Sequence, residues 1–100
     1  MNVLNAIAKV RFASSRPQRV QLAKEEKLAV ELLCFEPSQS LELKGRPRCY
    51  YVVTGRAELA SGGKRQRLAT GEFAALPAAE THTLANGGPN RLVCLSVQAA

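Results

Sequence analysis

The sequence predicts an all-β protein, a single small barrel preceded by a short N-terminal arm. Three observations carry that expectation. From Arg19 onward, short apolar runs alternate with turn residues, the pattern of a chain that crosses a sheet many times. Two turns are explicit: Ser61-Gly62-Gly63-Lys64 supplies glycines for a tight hairpin, and Gly87-Gly88-Pro89-Asn90 holds a proline that has no N–H for a central ladder. The one stretch with a helical alternative, Ala23–Val30, runs on into LAVELLCF, whose β-branched and apolar residues favour a strand.

In chain order, residues 1–18 are expected to form the arm and 19–100 the barrel. The arm, MNVLNAIAKVRFASSRPQ, has no acidic residue, and Val3, Leu4, Ile7 and Val10 recur near helical spacing with Lys9 and Arg11 between them. Such a start resembles a transit peptide, but the stretch ahead of Arg16-Pro17 is short for one, and a segment packing on the barrel is the expectation. Strands are predicted at Arg19–Leu22, Lys27–Phe35, Leu41–Leu43, Cys49–Val53, Arg56–Ala60, Lys64–Ala69, Glu72–Leu76, Thr83–Ala85 and Arg91–Val97. Three of them (AVELLCF, CYYVV and LVCLSV) are apolar on both faces, whereas a wall facing water alternates apolar and polar. Two-sided burial asks for a second layer from the arm, another sheet or another subunit, and a homodimer is the economical answer.

The 100 residues make one domain, and 46% apolar with 22% charged residues is the composition of a soluble globular protein. No apolar run reaches the length of a membrane span, so no membrane insertion is expected. A formal net charge of +6 suits an anionic partner. Cys34, Cys49 and Cys94 are far apart and form no CxxC pair, so neither a zinc ribbon nor a thioredoxin-like motif is available. All three lie in apolar runs, where free Cys behaves as a small hydrophobe; a reducing, cytoplasmic setting without disulfides is expected.

The most regular punctuation lies in GEFAALPAAETHTLAN: Gly71, Pro77, Ala79, His82 and Asn86. This resembles the second motif of the cupin superfamily, G(X)5PXG(X)2H(X)3N, with Ala79 where the family has Gly. The resemblance implies a cupin barrel, or jelly roll, in which this motif contributes a His to a metal site. The first motif, G(X)5HXH(X)3,4E(X)6G, would supply two His and a Glu. Its counterpart here, FEPSQSLELKGRPRCYYVVTG, ending at Gly55, keeps the frame and loses the ligands. Ser38 stands for the opening Gly, Lys44 and Arg46 for the two His, and Arg48, counted back from Gly55, for the Glu across a shortened loop.

A divalent metal needs imidazole, carboxylate or thiolate donors, and ammonium and guanidinium groups have no lone pair to give. His82, the only histidine, cannot hold a metal tightly alone, so no cofactor is expected. The pocket candidates are His82, Lys44, Arg46, Arg48 and Tyr50. Three cations at alternate positions would form an anion site if they converge, since Arg pairs bidentately with carboxylate or phosphate and Lys adds a point charge. Tyr50, two residues after Arg48, would face the cavity with Val52. Turned outward instead, the same charges are an ordinary solvated loop.

The function expected is therefore that of a metal-free cupin, a module that binds a small, anionic ligand or serves a structural role. Two other classes compete. A metal-dependent cupin enzyme, a dioxygenase or isomerase, would need donors beyond His82. A basic β-barrel nucleic-acid binder would need exposed aromatic platforms, and four of the five aromatics (Phe35, Tyr50, Tyr51 and Phe73) lie in apolar strand contexts.

Overall fold

The computed structural model describes residues 1–76 and 80–99. Nine strands follow the arm: β1 (Gln18–Lys24), β2 (Leu28–Phe35), β3 (Ser40–Leu43), β4 (Arg48–Thr54), β5 (Ala57–Ser61), β6 (Lys64–Leu68), β7 (Phe73–Leu76), β8 (His82–Asn86) and β9 (Leu92–Ala99). They form a five-stranded sheet in the order β1-β2-β9-β4-β7 and a four-stranded sheet in the order β3-β8-β5-β6, antiparallel at every pairing. The all-β barrel expected from the sequence is therefore what the chain forms. Among the described residues no helix is long and apolar enough to cross a membrane.

Side chains alternate across a strand, so the register fixes two faces of the larger sheet. Leu33, Phe35, Tyr50, Val52, Leu92 and Cys94 point inward and meet Leu43, Leu59, Leu68 and Leu84 of the smaller sheet in one buried core. Leu32, Cys34 and Val93 point the other way, where Ala6, Val10 and Phe12 of the arm pack against them. The arm is thus one source of the second layer that the doubly apolar strands require. It contains a single 3-10 turn at Ile7–Lys9 and is tied down by Gln39, whose Nε2 donates to the Ala13 carbonyl at 2.8 Å. The Arg91 guanidinium lies 4.4 Å from the Phe12 ring centroid and pairs with Glu36, which clips the arm at a second point.

Asn86, the last residue of the second motif, is buried and works as a turn organiser. Its Oδ1 accepts from the Gly88 N–H at 3.0 Å, and its Nδ2 donates to the Asn90 carbonyl at 2.8 Å. Pro77 and Ala79 of the same motif lie outside the described residues.

Among the turn positions with left-handed backbone, two can be tested by substitution. Gly55 has φ of 95°, and a Cβ there would meet the Arg91 carbonyl oxygen at 2.5 Å. Ser38 keeps φ of 72° although its side chain disfavours it. Ser38→Gly should therefore stabilise the protein by roughly 0.5–1 kcal/mol after the entropy cost of a glycine. Gly55→Ala, facing backbone it cannot displace, should destabilise by more than about 2 kcal/mol. Urea unfolding midpoints of the two variants check both signs.

Candidate functional site

One end of the barrel interior is polar. Gln21, Glu31, Ser96 and Tyr50 are directly paired across β1, β2, β9 and β4, so they share a row on the inward face. Arg48, two residues before Tyr50, begins β4 opposite Gln98 and Leu76. His82 begins β8 opposite Leu43 and enters the same space from the other sheet.

Tyr50 and His82 are joined by a buried hydrogen bond, with Oη and Nε2 2.6 Å apart. The other ring nitrogen of His82, Nδ1, lies 3.1 Å from the Glu80 carbonyl oxygen. A carbonyl only accepts, so Nδ1 carries the proton in the neutral ring, and the Nε2 lone pair accepts from the phenol. Burial pushes the Tyr50 phenol above its ordinary pKa of 10.0, and the neighbouring Arg48 guanidinium pulls it part of the way back.

Arg48 is the least ordinary member of the group. It is only 8% exposed, its Nη2 donates to the Lys44 carbonyl at 3.3 Å, and its Nε and Nη1 have no partner among the described residues. Ser96 is wholly buried, and its hydroxyl is likewise unpartnered among them. Arg19 reaches the inward Glu31 carboxylate at 2.6 Å, with Glu31 the more buried of the two. Two guanidinium groups against one carboxylate leave the barrel end with one uncompensated positive charge among these residues. A buried, unpaired cation costs several kcal/mol, which marks the position as one where a negative group is wanted.

Of the five residues singled out in the sequence, His82, Arg48 and Tyr50 come together. Lys44 and Arg46 do not join them. Both are exposed in the loop between β3 and β4, where Gly45 at φ of 112° breaks the strand alternation that would have aligned the three cations. Among the described residues no acidic side chain bonds to Arg48; Glu58 pairs with Arg65, and Glu72 accepts from the Ala69 N–H. Glu31, Ser96 and Arg19 were not singled out. The available signal was a lone polar residue at an inward position of an otherwise apolar strand, Glu31 in AVELLCF and Ser96 in LVCLSV.

Two stacked antiparallel sheets closing around an interior site define a cupin-type barrel. A family model described as the cupin domain matches residues 31–98, and the chain belongs to that family. The protein TT1209 from Thermus thermophilus superposes with a TM-score of 0.90 at 22% identity, over 99% of this chain and 97% of that one. An uncharacterised double-stranded β-helix protein from Klebsiella pneumoniae gives a TM-score of 0.87 at 21% identity, covering 99% and 90%. The Cnp3 cupin domain of Schizosaccharomyces pombe gives 0.84 at 14% identity, covering 98% and 74%. At these identities the likeness is one of fold. No curated protein matches the sequence.

The metal that cupins commonly carry does not fit this site. Where the first motif's ligands would stand are two exposed cations and one buried guanidinium, and the His82 lone pair is taken by Tyr50. Among the described residues no three His, Cys, Asp or Glu side chains gather closely enough to bind an ion.

The Tyr50–His82 contact has a measurable consequence at alkaline pH. A phenol whose folded pKa is raised keeps its proton longer in the native state than in the unfolded one. Its contribution is therefore complete below the unfolded value of 10.0 and is lost as pH rises through the higher folded value. Cys94, pushed by burial to about 12, adds a loss of the same sign. The difference between wild type and Tyr50→Phe in urea unfolding should narrow above pH 10, while below it the variant is about 1–3 kcal/mol less stable because Nε2 is left unpaired.

Proposed function

We propose that this protein is a metal-independent cupin that binds a small monoanionic ligand, a carboxylate above all, at the polar end of its barrel. The single observation that supports this is Arg48, a buried guanidinium with two N–H groups unpartnered among the described residues. Arg is the residue suited to carboxylate recognition, and the Ser96 hydroxyl, opposite Tyr50 on the same inward face, offers a further neutral donor. One net positive charge at the barrel end matches one negative charge on the ligand. Tyr50 commits its proton to His82, so it can only accept from the ligand or from Arg48.

A binding role fits better than a catalytic one. A metal-dependent dioxygenase or isomerase would need donors that the residues around His82 do not supply. A nucleic-acid surface would need stacked aromatics beside basic residues, yet the exposed aromatics Tyr51 and Phe73 lie on a face without charge. The three free thiols are in keeping with a reducing, cytoplasmic setting.

Thermal unfolding with monocarboxylates and with inorganic phosphate tests the proposal on wild type and Arg48→Met. The wild-type midpoint should rise with carboxylate, by roughly 10 °C or more at a hundredfold excess over Kd, where binding contributes about 2.7 kcal/mol. The variant should show no response yet lose no stability, because a thioether of similar length replaces a buried charge. A variant that is much less stable, beside a wild type that ignores anions, would make Arg48 a structural cation and end the proposal. Metal content by mass spectrometry, after growth with Zn, Fe, Mn and Ni, should show no stoichiometric ion. Stoichiometric metal lost in His82→Ala would instead revive the enzyme reading.

A further inference from the structure

The two outer faces of the barrel are unlike. The smaller sheet turns Glu42, Glu58, Arg65 and Arg67 to the outside, as a wall facing water should. The larger sheet has no charged residue at any outward strand position that the register assigns. Among the described residues, every large apolar side chain left exposed belongs to this side of the molecule. Leu28, Tyr51 and Phe73 stand on the sheet itself. Met1, Val3, Leu4 and Ile7 stand on the arm, which packs on the sheet through Ala6, Val10 and Phe12. Phe73 is 69% exposed, Ile7 61% and Val3 87%. Single apolar residues scattered over a surface are ordinary, but a gathering on one side marks an interaction surface.

The arm adds charge of one sign. Lys9, Arg11 and Arg16 are exposed, none of them is ion-paired among the described residues, and no acidic residue precedes Glu25.

We infer that this face and the arm lie against an anionic lipid bilayer, adsorbed at the headgroup layer without crossing it. Two features favour a bilayer over a protein partner. Apolar and cationic residues are interleaved along one exposed segment from Val3 to Arg11, the composition of a segment that rests in a membrane interface. Its apolar side chains enter the acyl boundary while its cations stay at the phosphates. The exposed residues are also spread between the arm and the edge strand β7, so a protein partner would have to match both in register. A bilayer presents anionic groups above an apolar layer at every point and needs no such match. Tyr51 adds a ring with a polar tip, a residue type enriched at membrane interfaces. β2, β9 and β4 are bonded to neighbours on both edges, so over most of the face no backbone group is left in need of water. The surface uses only outward and arm residues and is independent of ligand binding at the inward Arg48.

Co-sedimentation of the full chain with vesicles tests the inference, using phosphatidylcholine alone or with about 30% phosphatidylglycerol added. Wild type should pellet with the anionic vesicles at low salt and bind the neutral ones at least about tenfold more weakly. Lys9→Gln with Arg11→Gln should weaken binding roughly tenfold or more. Lys64→Gln with Arg67→Gln removes the same charge from the smaller sheet and should change binding by less than about twofold, because those cations sit beyond a Debye length from the lipid. Phe73→Ser, which leaves the charge unchanged, should cost about tenfold with unaltered far-UV circular dichroism. Should Phe73→Ser fail to fold, Val3→Ser with Ile7→Ser takes its place, both residues being exposed on the arm. A wild type that ignores anionic vesicles overturns the inference, as do equal binding to neutral ones, equal loss in the two glutamine pairs, or binding that survives the serine changes. A wild type that stays off vesicles and sediments at twice the chain mass of 10.8 kDa gives the face to a second copy and overturns it as well.

Discussion

The period of two along β9 is the constraint on which the rest of this structure depends. β9 lies in the middle of the five-stranded sheet, bonded to β2 on one side and β4 on the other, so neither of its faces belongs to an edge. Leu92, Cys94 and Ser96 are committed to the barrel interior and Val93, Leu95 and Val97 to the outside, and a slip of one residue would exchange the two sets. With both sets mostly apolar, the strand is stable only if something covers each side. The smaller sheet covers the inside through Leu84, Leu59 and Leu43, and the arm begins to cover the outside through Val10 and Phe12. The arm is therefore part of the hydrophobic balance of the domain, and the contacts through Gln39 and Arg91 hold it there.

At the far end of the same inward face the chemistry changes from apolar to polar within one repeat. Going from Cys94 to Ser96, from Val52 to Tyr50 and then Arg48, and from Leu33 to Glu31, every inward position becomes polar at the same level of the barrel. A change on three adjacent strands together is the pattern of a site, since a chain selected only for stability would continue the core. In a metal-binding cupin that level would be occupied by a cation held by neutral and anionic ligands. Here the cation is covalent, the Arg48 guanidinium, and the histidine that remains is turned to a phenol. A guanidinium keeps a positive charge there, offers N–H donors and has no empty orbital for a ligand's lone pair. Such donors are what the proposed anion site would use.

The fold was legible because its signals are local. Each predicted strand exists, with ends displaced by no more than two residues, since glycine, proline and the periodicity mark strand ends without reference to the rest of the chain. Arg48, Tyr50 and His82 were legible through motif spacing, which survives although the residue types have changed. Lys44 and Arg46 were placed by extending strand alternation through a loop, and the left-handed backbone at Gly45 ends that alternation. Glu31 and Ser96 escaped notice because one polar residue in a seven-residue apolar run hardly alters its character. Their meaning lies in the register, which sets them beside Tyr50, and register is a long-range property.

The two faces of one sheet thus carry two separate tasks, and period-two geometry keeps them apart. Tyr50 looks into the barrel at His82; Tyr51, one residue later, looks outward beside Phe73. No residue serves both surfaces, so change on one face reaches the other only through the backbone. That separation lets the interior carry a buried guanidinium while the outer face keeps its apolar character. The cations of the chain accordingly fall on the arm, the loops, the smaller sheet and the inward positions of β1 and β4, where water or a polar neighbour is at hand, and not on the outward strand positions of the larger sheet.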